Sequence, residues 1–514
     1  MRKMLLGVET EYAAGIATDA AAASSVLEAS DFAGRFMAAT RRRLTCLPDG
    51  SGGVFLANGA RLYVDCGMHP EYATPECSSP WEVVQHIAAG DRILSHLAED
   101  LEPGYRHLGE LVLHKCNVDY SGAGTTWGCH ESYLARRPPG ELAAALVPHL
   151  ASRVIYTGAG GFNPLNPGLE FLLSPRAVHL HHVCSGDSTR GRGIMHLRDE
   201  RLNGRGYTRI HVIAGESLCS HLGMWLKAGA TSLVVALGDE GIDPGDAVRL
   251  CNPVEAMQAF SRDPSLRATA SVANGRESSA LDIQRRYLDL AEAHAGGGLL
   301  PEWAGEVCAV WRRVLDQLSA DPEQLAASLD WPLKLALYRR RCQQQRIDWK
   351  RLPVWTRAAA LWGGVPRFLS VRRALFQTDT VFSRLVRGGI FTELDEAGVL
   401  NHRVAGVGAA ETAAEYPPGY GRARLRGEAV RLLAPLGAGA RADWSCVIDQ
   451  AGRRVLDLND PFAEEAVWRG VPLPEHRAPV VRPIRETIAP VAAESPESRL
   501  LRELVDSVRQ QIRR

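Results

Sequence analysis

The sequence predicts an α+β protein: an antiparallel sheet with one polar face, packed with helices on the other, and a small carboxy-terminal domain. Three observations predict it. Several short segments alternate polar and apolar residues, so that acids, arginines, a tyrosine and histidines share one side. Long segments with apolar residues at helical spacing lie between and after them. Past Tyr416 the composition shifts to paired prolines, spaced arginines and short strand-like pieces. With 514 residues the chain exceeds what one core usually organises. The expected division is 1–410 for the main domain, 411–470 for the small one and 471–514 for a proline-rich strap with a terminal helix.

Charge and cysteine usage exclude several classes. Lysine plus arginine equals aspartate plus glutamate at 59 each, with no long run of one sign, so no nucleic-acid partner is expected and any phosphate recognition is local. The 11 cysteines scatter from Cys46 to Cys446 without a metal-ligand spacing, which argues for a reduced, cytoplasmic setting and against structural zinc. The apolar stretch after Arg2 and Lys3 stops at Glu9, too short for a signal peptide, and Ala228–Leu237 falls far below bilayer length. No membrane association is expected.

Taken in order, Met4–Tyr12 reads as a strand with Glu9 and Glu11 on one face and Val8, Thr10 and Tyr12 on the other. Alone, it is a solvated edge strand. Ala20–Leu44 reads as a helix whose basic end, Arg41–Arg43, suits the C-terminal dipole. Ala60–Asp65 alternates again, setting Arg61, Tyr63 and Asp65 opposite Leu62 and Val64, and the turn beyond supplies Glu71, Thr74 and Glu76. Ser79-Pro80-Trp81-Glu82 combines an N-cap, a first-turn proline and a capping-box glutamate, predicting a helix to about Glu99 that covers the apolar face.

Leu111–Asp119 alternates with Lys115, Asn117 and Asp119 on one side, and predicts a third polar-faced strand. His130 follows a glycine-rich turn; alone it is a satisfied loop histidine. Gly158–Gly168 and Val183–Gly193 read as loops, and no Walker A motif occurs. Tyr207–Ala214 sets Arg209 and His211 opposite Ile210 and Val212, a fourth such strand. Glu277–Ala295 and the stretch from Trp303 to about Phe376 read as helices, with Trp331, Leu335 and Tyr338 in the core.

Carboxylates on neighbouring strands with a tyrosine, histidines and no thiolate suit a hard divalent ion such as magnesium. Arginines on the same face suit phosphates. Without a Walker loop, that combination points to activation of a carboxylate by ATP and its transfer to an amine.

Six motifs, in order, resemble the Pup ligase and depupylase family, itself related to glutamine synthetase and gamma-glutamylcysteine ligase. They are GVETEY at Gly7–Tyr12, FLANGARLYVDCGMHPEYATPEC at Phe55–Cys77, GCHESY at Gly128–Tyr133, RDE at Arg198–Glu200 with HVIAGES after it, SALDIQRRY at Ser279–Tyr287 and RARLRGE at Arg422–Glu428. The resemblance runs from about Leu5 to Phe462. It implies a glutamine-synthetase-like curved antiparallel sheet that carries ATP and magnesium. Carried over by motif, Glu9, Tyr63, Glu71, His130 and His211 would be magnesium ligands. Arg61, Thr74, Arg198 and Trp444 would contact ATP, and Asp65 would be the catalytic carboxylate. The implied reaction joins the terminal glutamate side chain of a Pup-like protein tag to a lysine on a protein substrate, through an acyl phosphate. Depupylases of the family carry a long extra loop before the Asp65 strand, whereas here only Ala13–Val54 intervenes, which favours the ligase. Leu218, where an asparagine usually follows GxS, departs from the pattern. A small-molecule carboxylate–amine ligase and a non-catalytic binding protein are the other classes considered; the latter would most readily have lost Asp65 or Glu9, and both are present.

Overall fold

The computed structural model describes residues 2–17, 27–187, 191–197, 206–362, 366–385, 388–406, 408–437 and 439–469. Nine strands form the main sheet, in the spatial order His182–Ser185, Gly193–His196, Thr208–Val212, Cys129–Ala135, Leu6–Glu11, Pro70–Ala73, Arg61–Val64, Val54–Leu56 and Cys46–Pro48. All neighbours are antiparallel except the first pair, which is parallel. The first strand of the chain therefore sits at the centre, where both of its edges are paired.

Alternation decides which face each residue takes. Leu6, Val8 and Thr10 are buried while Gly7, Glu9 and Glu11 are half-buried, and Cys129–Ala135 buries Cys129, Glu131, Tyr133 and Ala135 but not His130, Ser132 and Leu134. A slip of one residue in the first strand would send Glu9 and Glu11 into the core. Register is thus pinned by the cost of burying charge.

Helices Pro80–Leu101 and His221–Asp239 cover the apolar face, and Trp81 meets Trp225 edge-on at 5.1 Å between them. Their apolar residues share one core with Leu6, Val8 and Tyr133. Ser79 caps the first helix by accepting from the Glu82 N–H, as its sequence predicts. Glu82 does not close the box on Ser79, however; its Oε2 accepts from the N–H (2.6 Å) and hydroxyl (2.8 Å) of Ser78. A second core, with Tyr12, Phe36, Leu62 and Tyr72, lies under the hairpins of the 46–73 region beside helix Ala29–Arg43. Gly90 is needed there, since a β-carbon would come within 2.5 Å of the Tyr72 ring.

The segment Leu111–Asp119 departs from its sequence reading. Glu110–His114 pairs with Ala13–Ala17 in a separate two-stranded sheet. Lys115 is buried against Asp91 (2.8 Å), and Asn117 exchanges hydrogen bonds with the Ser217 backbone at 2.9 and 2.8 Å. Their polarity is used to join loops, so the strand Cys129–Ala135 takes the place expected for this segment. The loop expected at Gly158–Gly168 also contains a short pairing, Gly161–Phe162 with Phe171–Leu172.

Helices Ala304–Ala320, Asp330–Gln344, Leu352–Trp362 and Pro366–Phe382 occupy the predicted helical stretch, and Trp331, Leu335 and Tyr338 are buried. The carboxy-terminal module is helix Arg422–Leu433 with the antiparallel strands Arg441–Ala442, Cys446–Ile448 and Arg454–Asp457. It has no closed core of its own: Leu425, Val430, Val447 and Leu456 pack with Leu47 and Phe55 from the sheet edge. The proline-rich strap and terminal helix expected at 471–514 lie outside the described residues. No helix among the described residues is long and apolar enough to cross a membrane.

Candidate active site

Register brings the polar side chains of separate strands together. Glu9 stands between Ala73 and His130, Glu11 opposite Glu71, Tyr63 opposite Glu71, and His211 between Ser132 and His196. Three overlapping clusters follow, each with ligand atoms within 4.8 Å of one another: Glu9, His130 and His211; Glu11, Glu71 and His130; and Glu11, Asp65 and His69. Glu9, Tyr63, Glu71, His130 and His211 are therefore neighbours on one face.

The charges of this face are unbalanced. Burial works to raise the Glu9 carboxyl, yet Arg209, with His130 and His211, holds it well below the usual carboxylate range. Arg209 Nη2 donates to Glu9 at 2.6 Å and its Nε to the Ser132 hydroxyl at 2.9 Å. Among the described residues no arginine or lysine pairs with Glu71: burial, with Glu9 and Glu11 beside it, pushes its carboxyl well above the ordinary range. Burial, with Glu9 and Glu71 near, also raises the Tyr63 phenol. Burial beside Arg209 pushes the His211 imidazole down, and among the described residues neither of its buried ring nitrogens has a hydrogen-bond partner. A neutral imidazole with unused nitrogens and an acid that cannot ionise cheaply are the donor set of a cation site.

Asp65 occupies the turn between Arg61–Val64 and Pro70–Ala73. Its Oδ1 accepts from the His69 N–H at 2.6 Å, and its backbone N–H donates to the His69 carbonyl at 2.9 Å. Met68 closes the turn with φ +65°, a conformation few side chains adopt. Asp65 Oδ2 and the His69 ring nitrogen stand 3.3 Å apart, next to Glu11. The carboxylate is thereby aimed at the acidic clusters.

On the Leu6 side of the same strand a pocket opens between the sheet and the carboxy-terminal module, lined by Gly7, Thr74, Arg209, Arg422 and Trp444 among others. Thr74 accepts the Val8 N–H at 3.0 Å. Trp444 meets Phe55 edge-on at 5.0 Å, and the Arg426 guanidinium covers its ring at 4.7 Å. Arg61 lies over the Tyr63 ring at 3.9 Å and gives Nε (2.8 Å) and Nη2 (2.6 Å) to Asp49, and Nη2 also to Ser51. No partner of its Nη1 is found among the described residues. Arg198, expected at the phosphates, lies outside the described residues.

The structure adds residues to which the sequence assigned no role. Glu11 and Arg209 were readable from alternation, since each shares a face with Glu9 or His211. His69 and Asp49 were not, because turns bring them in and no periodicity marks them.

An antiparallel sheet presenting an acidic, imidazole-lined face beside an arginine- and tryptophan-flanked pocket defines a glutamine-synthetase-like class of protein. Within that class the chain belongs to the Pup-ligase protein family, whose model matches residues 4–448. It is 34% identical over 476 residues to a Pup--protein ligase of Actinosynnema mirum, covering 90% of this chain and 97% of that protein. It is 37% identical over 415 residues to a Pup deamidase/depupylase of Mycolicibacterium smegmatis, covering 78% of this chain and 76% of that protein. Among solved structures it resembles the ligase PafA in complex with the prokaryotic ubiquitin-like protein Pup, with TM-score 0.75 and 26% identity over 99% of this chain and 94% of that one. PafA in complex with ADP matches with TM-score 0.68 and 28% identity over 87% and 94%.

Proposed function

We propose that this protein is an ATP-dependent ligase that joins the terminal glutamate side chain of a Pup-like tag to a lysine of a protein substrate in the cytoplasm. The observation that carries this is the placement of Asp65 on the acidic clusters, one strand away from the pocket lined by Thr74 and Trp444. The relatives agree in extent: the Pup--protein ligase is matched over 97% of its length, the depupylase over 76%.

Magnesium fits the carboxylate oxygens of the donor set, because Glu71 lies beside Glu9 and Glu11 and no arginine or lysine among the described residues pairs with it. Glu9, Tyr63, Glu71, His130 and His211 would hold it, and when bound it would neutralise charge on the transferring phosphoryl group. Thr74, Trp444 and the Nη1 end of Arg61 would seat ATP, with Arg198 at its phosphates. The tag carboxylate oxygen attacks the γ-phosphorus of ATP, the bond to the β,γ-bridging oxygen breaks, ADP leaves and an acyl phosphate forms. The lysine nitrogen then attacks that carbonyl, phosphate leaves, and an isopeptide bond remains.

Asp65 supplies the proton acceptor. A free lysine has a pKa of about 10.4, so presenting its neutral amine near pH 7 costs about 4–5 kcal/mol unless a base takes the proton in place. The His69 N–H and the tight turn fix the carboxylate before substrate arrives, which removes the entropy of positioning it.

Asp65→Asn is expected to bind ATP as the wild type does and to form no conjugate. Incubation with ATP, magnesium and Pup-like tags, read by mass spectrometry for lysine isopeptides, tests both points. Undiminished conjugation by the variant would remove the role from Asp65. Hydrolysis of a tag–lysine conjugate without any synthesis would move the protein to the depupylase branch.

A further inference from the structure

Five arginines are buried among the described residues: Arg153, Arg176, Arg422, Arg424 and Arg426. Four have carboxylate partners. Arg153 pairs with Glu131, Arg422 and Arg426 with Glu76, and Arg424 with Glu428. Arg176 is 5% exposed, and no carboxylate among the described residues comes within ion-pair distance of it. Its guanidinium donates to a neutral acceptor, the Gly215 carbonyl, while its backbone N–H is held by Glu216 at 2.8 Å.

Glu11 and Glu216 lie close enough to attract the Arg176 charge, but neither pairs with it; a buried guanidinium with no paired carboxylate is costly, and a neutral donor would serve the Gly215 carbonyl as well. Its surroundings say what the charge is for. A β-carbon on Gly128 would lie 2.7 Å from His130 Nε2 and 3.2 Å from Arg176 Nη2, so the guanidinium reaches the edge of the acidic clusters beside His130. The Gly128 N–H donates to Glu11 at 2.9 Å, and Glu11 adjoins His69 and Asp65. On the turn that carries Arg176, His179 Nε2 is buried without a hydrogen-bond partner among the described residues, and burial beside Arg192 and Arg176 pushes that ring down to about 4, leaving it neutral. Arg176 therefore stands at the Asp65 end of the site, whereas the Trp444 pocket opens at the Leu6 end.

We infer that Arg176 binds the α-carboxylate of the tag's terminal residue and so restricts the reaction to a glutamate at a chain end. The inference rests on the ligase reading. A terminal glutamate carries two carboxylates, separated by a methine and two methylenes. With the side-chain carboxylate at the acidic clusters, facing ATP, the α-carboxylate lies beyond it, away from the nucleotide. An internal glutamate has a neutral amide at that position and would leave the buried guanidinium without a paired anion.

The test uses the whole protein and a Pup-like tag ending in glutamate, made with a free terminal carboxylate or with an α-carboxamide. Binding is read by fluorescence anisotropy, and conjugation is measured separately. The wild type is expected to bind the acid about 10- to 100-fold more tightly than the amide, the range of one charge-assisted pair. Arg176→Gln, which can still donate to Gly215, should bind both forms as weakly as the wild type binds the amide; Arg176→Lys should recover part of the preference. Equal binding of both forms by the wild type, or an undiminished preference in Arg176→Gln, overturns the inference. If the glutamine variant does not fold, the lysine variant decides, since an unchanged preference there removes the need for the guanidinium. Absence of conjugation with every tag would instead count against the ligase reading.

Discussion

Two glutamates on one short stretch of chain have opposite lives. Glu71, on strand Pro70–Ala73, is pushed well above the ordinary carboxylate range by burial and by Glu9 and Glu11. Glu76, just beyond the strand, is also opposed by burial, but Arg426 and Arg422 hold it at about 2. Arg422 Nε reaches it at 2.6 Å, and Arg426 Nη2 binds its other oxygen. Arg426 also gives hydrogen bonds to the Gly59 carbonyl (2.9 and 3.1 Å) and covers Trp444. Glu76 is thus satisfied within the fold and fastens the carboxy-terminal module, and with it the Trp444 wall, to the sheet. Glu71 is left for something the fold does not contain. The contrast separates residues that build the site from residues that wait for a ligand, although all are charged and buried.

The largest test of this contrast is Glu76→Gln. It leaves two buried guanidinium groups uncompensated and should lower stability by about 3–5 kcal/mol. Nucleotide affinity should fall with it, because the module carries Trp444. Denaturant unfolding and ATP titration check the two effects. Retained stability would mean that the apolar contacts of Leu425 and Val447 with Phe55 alone hold the module.

Glu71→Gln should do the reverse. In metal-free protein it removes an acid whose ionisation the fold resists, so stability should not fall, while the rise in Tm on adding magnesium should be lost. The pH dependences have opposite signs. Glu76 has a folded pKa below its unfolded one, so its contribution is present above about pH 4.5 and is lost as pH falls towards about 2, in all about 3 kcal/mol. Glu71 has a folded pKa above its unfolded one, so metal-free stability declines as pH rises past about 4.5 towards the raised value. The gain of Glu71→Gln over wild type should therefore grow with pH. A gain that shrinks with pH would show that Glu71 is already ionised and paired.

The sequence disclosed the waiting residues better than the fastening ones, for a physical reason. A strand's period of two is local, so Glu9 with Glu11, Arg61 with Tyr63 and Arg209 with His211 declared their common faces from spacing alone. Which strands pair is not local: Lys115 and Asn117 alternate just as well, yet they lie past the strand Glu110–His114, which joins Ala13–Ala17 in another sheet. Partners distant in sequence left no mark either. Asp49 on Arg61 and Glu76 on Arg422 and Arg426 depend on hairpin stacking and module docking, and the absence of a carboxylate paired with Arg176 among the described residues is visible only once all other pairs are known. The family motifs point to candidate ligands and a candidate catalytic carboxylate, but not to how each is held.

The smallest effect concerns Arg209, which belongs to neither glutamate and could be of either kind. Like Arg426 it holds a carboxylate, Glu9, at 2.6 Å, yet like Glu71 it lines open space, the pocket beside Thr74 and Trp444. Ser132→Ala removes only the hydroxyl that receives its Nε. One hydrogen bond on a half-buried strand position is worth about 0.5–1.5 kcal/mol. If Arg209 is oriented for a ligand, that loss should appear as a roughly 2- to 10-fold weaker KM for ATP with kcat and Tm nearly unchanged, since Glu9 still anchors the guanidinium. If it only fastens the strands, Tm should fall and KM should not. Glu9 then counts as satisfied within the fold, and the cation site must be built chiefly on Glu71, Glu11 and His130.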